Sequence, residues 1–507
     1  MSLLTERYSK EITGILSCYD RVVVQGTVPG FCYALGMTHY LNYNNIRIFD
    51  YPRFAEPLRE ELRNNAERIA KENNLEIEFI RKKNLRKESR IQSILKERGN
   101  QPGLVHIFSA MEACPSYKPW HNKETHHTYL KPTQGKCLHY YFYFIDEELG
   151  LCYVRVPTWC PFRLQIYFNG HNLLAAVLKK QNIPYTLIDN AFVNIGSFTK
   201  AQKLCDALKV ELIHKKLDMF AKSFCPIIHK RGLNYHWSLM QTEYATDIVF
   251  KNQQSLQLIY DKLTRTAIHT VKPSNIATFL GKKLHGNYQD EMGNNFNTRI
   301  EGTRIKHSMG PVSIKMYDKF GFILRIETTV NDISFFKHYR KVEHRDGTNS
   351  MKLTSMKKRI YSLSPLRKLL LAANRRYLEF ISALDDVGAG ISKLNKISKP
   401  IIKNDRSYKG FNFFTEDDQK LFEAIANGEY NISGFQNKDL RQKLKNKNSA
   451  QTSRLLKRLN THGLIKKIGR TYKYYLTKLG CQVITMGLKL KELVVIPELA
   501  LQPGVHA

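Results

Sequence analysis

The chain has 507 residues, with 79 Lys and Arg against 45 Asp and Glu and a net charge of +34. An apolar content of 42% excludes wholesale disorder, and no run of about 18 apolar residues occurs that could span a membrane. The charge excludes a neutral surface: such a chain repels itself and attracts polyanions, the electrostatic footprint of a nucleic-acid binder.

The length allows about three domains at roughly 150 residues each. The opening MSLLTERYSKEITG has no apolar signal core, so a cytoplasmic location is expected. Arg21–Val24 is a short β-branched run ending near Gly26, and Ile46–Phe49 is a second run. Pro57–Lys71 is charged and helical, and Leu75–Ile80 alternates as a strand does. A basic stretch, RKKNLRKESR (81–90), precedes the apolar run Leu104–Phe108. Strands interleaved with helices predict an α/β domain over 1–215. Leu138–Val156 predicts a hairpin turning at Asp146–Gly150. Residues 171–260 read as mainly helical with one strand at Tyr185–Ile188, and Tyr235, His236, Trp237 and Tyr244 are expected on an amphipathic helix as core.

Cys114, His121, His126, His127, Cys137 and His139 fall in one loop-like stretch. Zinc takes such ligands, but the paired short spacings of zinc ribbons are absent. A His-rich loop over buried thiols is expected instead. Nine scattered Cys with no C-x-x-C pair argue against a disulfide framework. QGTVPG (25–30) and GKK (281–283) lack the spacing of phosphate-binding loops.

Residues 216–350 predict an α+β domain built around SIKMYDKFGFILRIETT (313–329), two alternating runs flanking Asp-Lys-Phe-Gly. With Lys315 opposite Arg325, one face carries Lys315, Tyr317, Arg325 and Glu327, and the other carries Ile314, Met316, Leu324 and Ile326. The flanks RIEGTRIKHSMG (299–310) and NDISFFKHYRKVEHRDG (331–347) mix cations with aromatics, which can stack bases while neutralising phosphates. Lys315, Arg325, Arg304 and Lys306 are therefore candidate nucleic-acid contacts. A nuclease would need carboxylates to hold Mg²⁺, and Glu301, Glu327 and Asp332 are the candidates.

The K-x-Y-x-K…LRIE arrangement over 313–328 resembles a segment of rolling-circle replication initiators. That family nicks DNA with a tyrosine nucleophile and a divalent metal. The resemblance carries over Tyr317, Lys319, Arg325 and Glu327 as motif positions. Its His-hydrophobic-His metal motif is absent, so the metal is unknown, Mg²⁺ if the segment cuts. Tyr317, Glu327, Glu301 and Asp332 form the candidate catalytic set.

Ser364 and Pro365 predict the start of a helix that ends before Gly388, a helical connector within 351–392. KLNKISKPIIKNDRSYKGFN (393–412) is basic and aperiodic, so a linker is expected. From 413 to 490 the order is clear. Thr415 caps a helix with Glu416, Asp417 and Asp418 in its first turn, ended by Gly428. NKDLRQKL is a second helix. Asn448 or Ser449 caps a third, ended by Gly463. Leu464–Ile468 and Thr471–Leu476 form a two-stranded wing, and TKLGCQVITMGLKL a last helix. Thr452, Leu455, Leu456 and Leu459 share one face of the third helix, opposite Ala450, Ser453, Arg454, Lys457 and Thr461.

This order is that of a winged helix-turn-helix, with Ser449, Ser453, Arg454, Lys457 and Arg458 on the recognition helix and Lys466, Lys467, Arg470 and Lys473 on the wing as candidate nucleic-acid contacts. RLLKRLNTHGLIKKIGRTYKYYLTKLG (454–480) resembles the winged helices of MarR-type regulators. The resemblance implies duplex DNA binding by the third helix and wing. Members of that family pair through flanking helices, so it also allows an oligomer.

The sequence thus predicts an α/β and α+β multidomain protein: an N-terminal α/β region, a central α+β region with a β-hairpin, and a C-terminal winged helix-turn-helix before a tail at 491–507. The expected activity is DNA binding in replication initiation, mobile-element function or regulation. The alternatives are a metal-dependent nicking or strand-transfer enzyme centred on 299–332, and an RNA binder.

Overall fold

A computed structural model describes residues 3–81, 86–207, 209–284, 288, 291–299, 302–383, 397–426, 428–469, 471–491 and 495. In chain order the strands are β1 (Ile12–Thr27), β2 (Ile77–Phe79), β3 (Gly103–His121), β4 (Thr128–Asp146), β5 (Gly150–Pro157), β6 (Leu164–Phe168), β7 (Tyr185–Ile188), β8 (Ala191–Ile195) and β9 (His236–Phe250). Next come β10 (Met292–Arg299), β11 (Gly302–Met309), β12 (Val312–Lys319), β13 (Ile323–Val330), β14 (Lys337–Glu343), β15 (Asn349–Ser355), β16 (Ile401–Lys403), β17 (Arg406–Tyr408), β18 (Ile465–Lys467) and β19 (Tyr474–Leu476). Helices alternate with these strands, so the mixed α/β, multidomain class holds. Among the described residues no helix is long and apolar enough to cross a membrane.

Two compact units form, and neither is continuous in sequence. One gathers 16–246 and 329–368; the other gathers 1–15, 247–328 and 369–507. No boundary falls at 215, because the helix Val210–Phe224 runs through it.

In the 16–246/329–368 unit the strand order is β9-β1-β6-β5-β4-β3-β2. Pairing is antiparallel from β6 to β3, and β2 joins β3 in parallel. β1 is buried through its Val22-Val23-Val24 run, as a central strand should be. The helix Tyr51–Glu72 buries Ala55, Leu58, Leu62, Ala66 and Ile69 at helical spacing. Three expectations need correction here. Ile46–Phe49 is no strand: Ile48–Asp50 is a 3₁₀ turn leading into that helix, which Pro52 helps to start. Trp237 and Tyr244 are core, but on β9 rather than a helix. The run of β-branched residues toward Phe250 suits a strand. The stretch 114–139 is not a loop. It is the distal part of a long β3–β4 ladder that runs from Gly103 opposite Ile145 to His121 opposite Thr128.

In the other unit β10, β11 and β12 form an antiparallel meander, with β13 next in order. Strand β12 continues to Lys319, so the turn is Phe320-Gly321-Phe322 rather than Asp318–Gly321. Phe320 (φ 55°) and Gly321 (φ 77°) both take left-handed backbone, which only glycine adopts freely. The helix predicted near Ser364 spans Leu363–Ser382.

The chain beyond residue 396 does not begin with a linker. β16 and β17 pair, and Ile397 and Phe411 belong to a hydrophobic core cluster of this unit. That core also takes Phe413, Phe422, Ile425, Phe435, Leu440, Leu456, Leu459, Leu464, Ile465, Val483 and Ile484. Helices occupy Glu416–Ile425, Gly428–Ser433, Asn437–Lys443 and Ser449–Thr461. β18 and β19 pair antiparallel, with Ile465 opposite Leu476, and the helix Lys478–Leu490 closes the order. Phe435 and Tyr474 exchange two backbone hydrogen bonds, an isolated bridge beside the ribbon. Gly428 does not end the first helix; it starts an extra one, and a side chain there would collide with Thr278.

Candidate nucleic-acid interface

The helix Ser449–Thr461 starts at a capping box. The Asn448 Oδ1 accepts from the Gln451 N–H at 2.9 Å, and the Gln451 Oε1 accepts from the Asn448 N–H at 2.9 Å. Thr452, Leu456 and Leu459 are buried, while Ser449, Ala450, Ser453, Arg454 and Lys457 are exposed. The Asn437 Nδ2 donates to the Ser449 carbonyl (3.0 Å) and to the Ser453 hydroxyl (2.8 Å), so the first turn is pinned to the preceding helix. On the neighbouring ribbon Lys466, Lys467, Tyr472 and Lys473 are exposed. The Lys467 amino group stands 5.4 Å from the centre of the Tyr472 ring. Arg470 lies outside the described residues.

Arg458 does not belong with these side chains. Its guanidinium donates to both oxygens of Asp418 at 2.7 and 2.9 Å and to the carbonyls of Lys409 and Gly410. It also lies 3.8 Å from the centre of the Phe411 ring. The predicted contact is corrected: Arg458 ties the helix to its own domain, because it projects toward the packed side. Charge elsewhere is one-signed. Between Asp439 and Glu492 the sequence has no Asp or Glu, and from 445 to 480 it has ten Lys and Arg.

The hairpin of β12 and β13 is built differently. Lys315 and Tyr317 both reach Glu327: the Lys315 Nζ lies 2.7 Å from Oε1, and the Tyr317 hydroxyl donates to Oε2 at 2.7 Å. Glu327 is buried. Arg325 is also buried, and it donates twice to Asp247, at 2.6 and 2.7 Å. The expectation that Arg325 grips phosphate is therefore corrected; it holds a buried ion pair. Lys306 stands opposite Lys315 in the ladder, and both it and Arg304 are half-buried. Of the carboxylates expected to hold a metal, Glu301 lies outside the described residues. Asp332 caps a 3₁₀ turn, accepting from the Ser334 N–H (2.8 Å), the Ser334 hydroxyl (2.6 Å) and Lys358 (2.9 Å). Partial burial raises its pKa, but Ser334 and Lys358 hold it below the usual carboxylate value.

Sequence reasoning missed a pair of acids in the 16–246/329–368 unit. The carboxylates of Asp20, on β1, and Glu243, on β9, come within 4.8 Å of each other. Asp20 is buried, accepts from the Asn190 Nδ2 (2.6 Å) and the Asn169 Nδ2 (3.3 Å), and faces the His171 Nδ1 at 3.1 Å. Two carboxylates this close repel unless a proton or a cation lies between them. No local spacing announces the pair, because its members are far apart in the chain and Glu243 lies in a segment whose pattern suggests helix.

The cysteines and histidines of the β3–β4 ladder do not gather into a metal-holding group among the described residues. Cys114, Cys137 and His139 are buried, while His121, His126 and His127 are exposed near the ladder's tip. Burial and nearby Arg155 push the His139 pKa down to about 4.

Comparison with family models, with curated proteins and with solved structures finds no match.

Proposed function

We propose that residues 413–490 are a winged helix-turn-helix that binds duplex DNA, with Ser449, Ser453, Arg454 and Lys457 on the helix that enters the major groove and Lys466, Lys467 and Lys473 on phosphate. The observation that carries the reading is the run without a carboxylate from 440 to 491, in which Arg454, Lys457, Lys466, Lys467 and Lys473 stand exposed around a pinned helix start. Small residues at that start allow close approach to base edges, and Arg454 is long enough to reach a guanine. The setting is cytoplasmic, and the role falls in replication initiation, mobile-element function or regulation. Anisotropy with a labelled duplex tests the reading: affinity should fall steeply with salt and fall again in Lys466→Ala/Lys467→Ala/Lys473→Ala. Binding that is insensitive to both would refute it. An RNA duplex in the same assay separates the RNA reading.

A second reading, metal-dependent DNA nicking, is favoured by the Asp20–Glu243 pair. Two convergent carboxylates are the donor set that Mg²⁺ takes, and Mg²⁺ there would neutralise phosphate charge. Nicking of supercoiled plasmid that needs Mg²⁺ and is lost in Asp20→Asn supports it. Nicking retained in that variant, or none at all, removes it.

A further inference from the structure

β14 and β15 form a separate two-stranded ribbon, paired from Lys337 opposite Ser355 to Glu343 opposite Asn349. Among the described residues neither strand packs extensively against any element but the other. A lone ribbon is marginal in water, so this one needs a reason to persist. One face exposes Lys337, Tyr339, Lys341, Met351 and Leu353, with Tyr339 69% and Met351 65% exposed. On the other face Arg340 stands directly opposite Lys352. Like charges directly opposite each other destabilise a ladder, and the buried Nε of Arg340 has no hydrogen-bond partner. The two acids of the ribbon give little relief. Asp346 is engaged in the turn, accepting from the Thr348 N–H and hydroxyl, and Glu343 is exposed.

We propose that the β14–β15 ribbon is a second nucleic-acid contact, seated in the major groove of duplex DNA. The proposal shares its ligand with the winged-helix reading and rests on that reading for it, but uses none of the same residues. Seven residues per strand span about 23 Å, and the major groove, about 12 Å wide, admits a two-stranded ribbon. Cations on both faces suit a slot walled by phosphate on two sides. Bound phosphate relieves the Arg340–Lys352 repulsion that the free ribbon carries. Tyr339, Met351 and Leu353 then meet base edges and thymine methyl groups rather than water. An acidic protein would satisfy the charge, but not the fit of a narrow ribbon with cations on both faces.

The test uses the full chain and a labelled 30-base-pair duplex, with anisotropy followed across a salt series. Arg340→Ala/Lys341→Ala/Lys352→Ala should lower the slope of log affinity against log salt by about 2 to 3, with circular dichroism and melting temperature unchanged. The charge-keeping Arg340→Lys/Lys352→Arg should restore most of the slope. A ribbon variant that binds like the parent at every salt overturns the proposal, and so does equal loss in the charge-keeping variant. The wing variant Lys466→Ala/Lys467→Ala/Lys473→Ala, run alongside, keeps the two readings apart. Loss in the wing variant alone removes the ribbon and leaves the winged helix. Loss in the ribbon variant alone does the reverse.

Discussion

Arg458 and Asp418 meet through two short contacts, 2.7 and 2.9 Å, with the arginine stacked against Phe411. Both side chains are largely withdrawn from solvent. Removing one partner of such a pair leaves an uncompensated charge, which typically costs 3–5 kcal/mol. Arg458→Ala should therefore lower stability by about 3 kcal/mol in chemical denaturation. The neighbouring Lys457→Ala should weaken DNA binding and leave stability within about 0.5 kcal/mol. If Arg458→Ala leaves stability untouched, the side chain is free for DNA after all.

Arg454 gives the opposite pattern. It is exposed on the helix that the proposal places in the groove. Arg454→Ala should cost about 1–3 kcal/mol of binding to the preferred sequence and less to random duplex. Selection of sites from a random pool, with parent and variant in parallel, measures this. Equal loss on every sequence would make Arg454 a phosphate contact instead.

His139 and His307 tie stability to pH. Burial holds both pKa values down to about 4, against 6.5 for an unperturbed histidine, with Arg155 adding to the effect at His139. Below pH 6.5 the unfolded chain takes up protons that the folded chain refuses. Their contribution is therefore complete above pH 6.5 and is lost as pH falls toward 4, by about 3 kcal/mol for each histidine. Urea unfolding across this window should show the fall, and His307→Gln should roughly halve it. A flat profile in the parent would contradict the buried, neutral state of both rings.

Glu327 accepts from Lys315 and from Tyr317, and the two contacts differ in charge. Glu327→Gln can still accept from Tyr317 but replaces a charged partner of the Lys315 ammonium with a neutral one. A loss of about 2 kcal/mol is expected in thermal unfolding, larger than in Tyr317→Phe, which removes one neutral donor. Equal losses would mean that the ion pair adds nothing.

Much of the far C-terminal order was legible because each signal there is local. Asn448 or Ser449 marks a helix start, Gly463 a stop, and Leu455, Leu456 and Leu459 a period of 3.6. The polar face of β12 and β13 was also legible from alternation. What failed were inferences that need a partner distant in sequence. Arg325 read as a surface cation until Asp247 was placed beside it, and Arg458 until Asp418 was. Residues 393–412 read as a linker because Ile397 and Phe411 are isolated apolar residues, and burial inside another element's core leaves no period. Helix and strand were confused at 236–250, where a strand buried over much of its length loses its alternation.

The central claim, that the exposed cations of 445–480 serve a polyanion, is tested most directly by the salt dependence of duplex binding in the parent and in Lys466→Ala/Lys467→Ala/Lys473→Ala. The account predicts a steep linear fall of log affinity with log salt, and a slope shallower by about 3 in the variant. An unchanged slope, or no binding to the duplex at low salt, would contradict it.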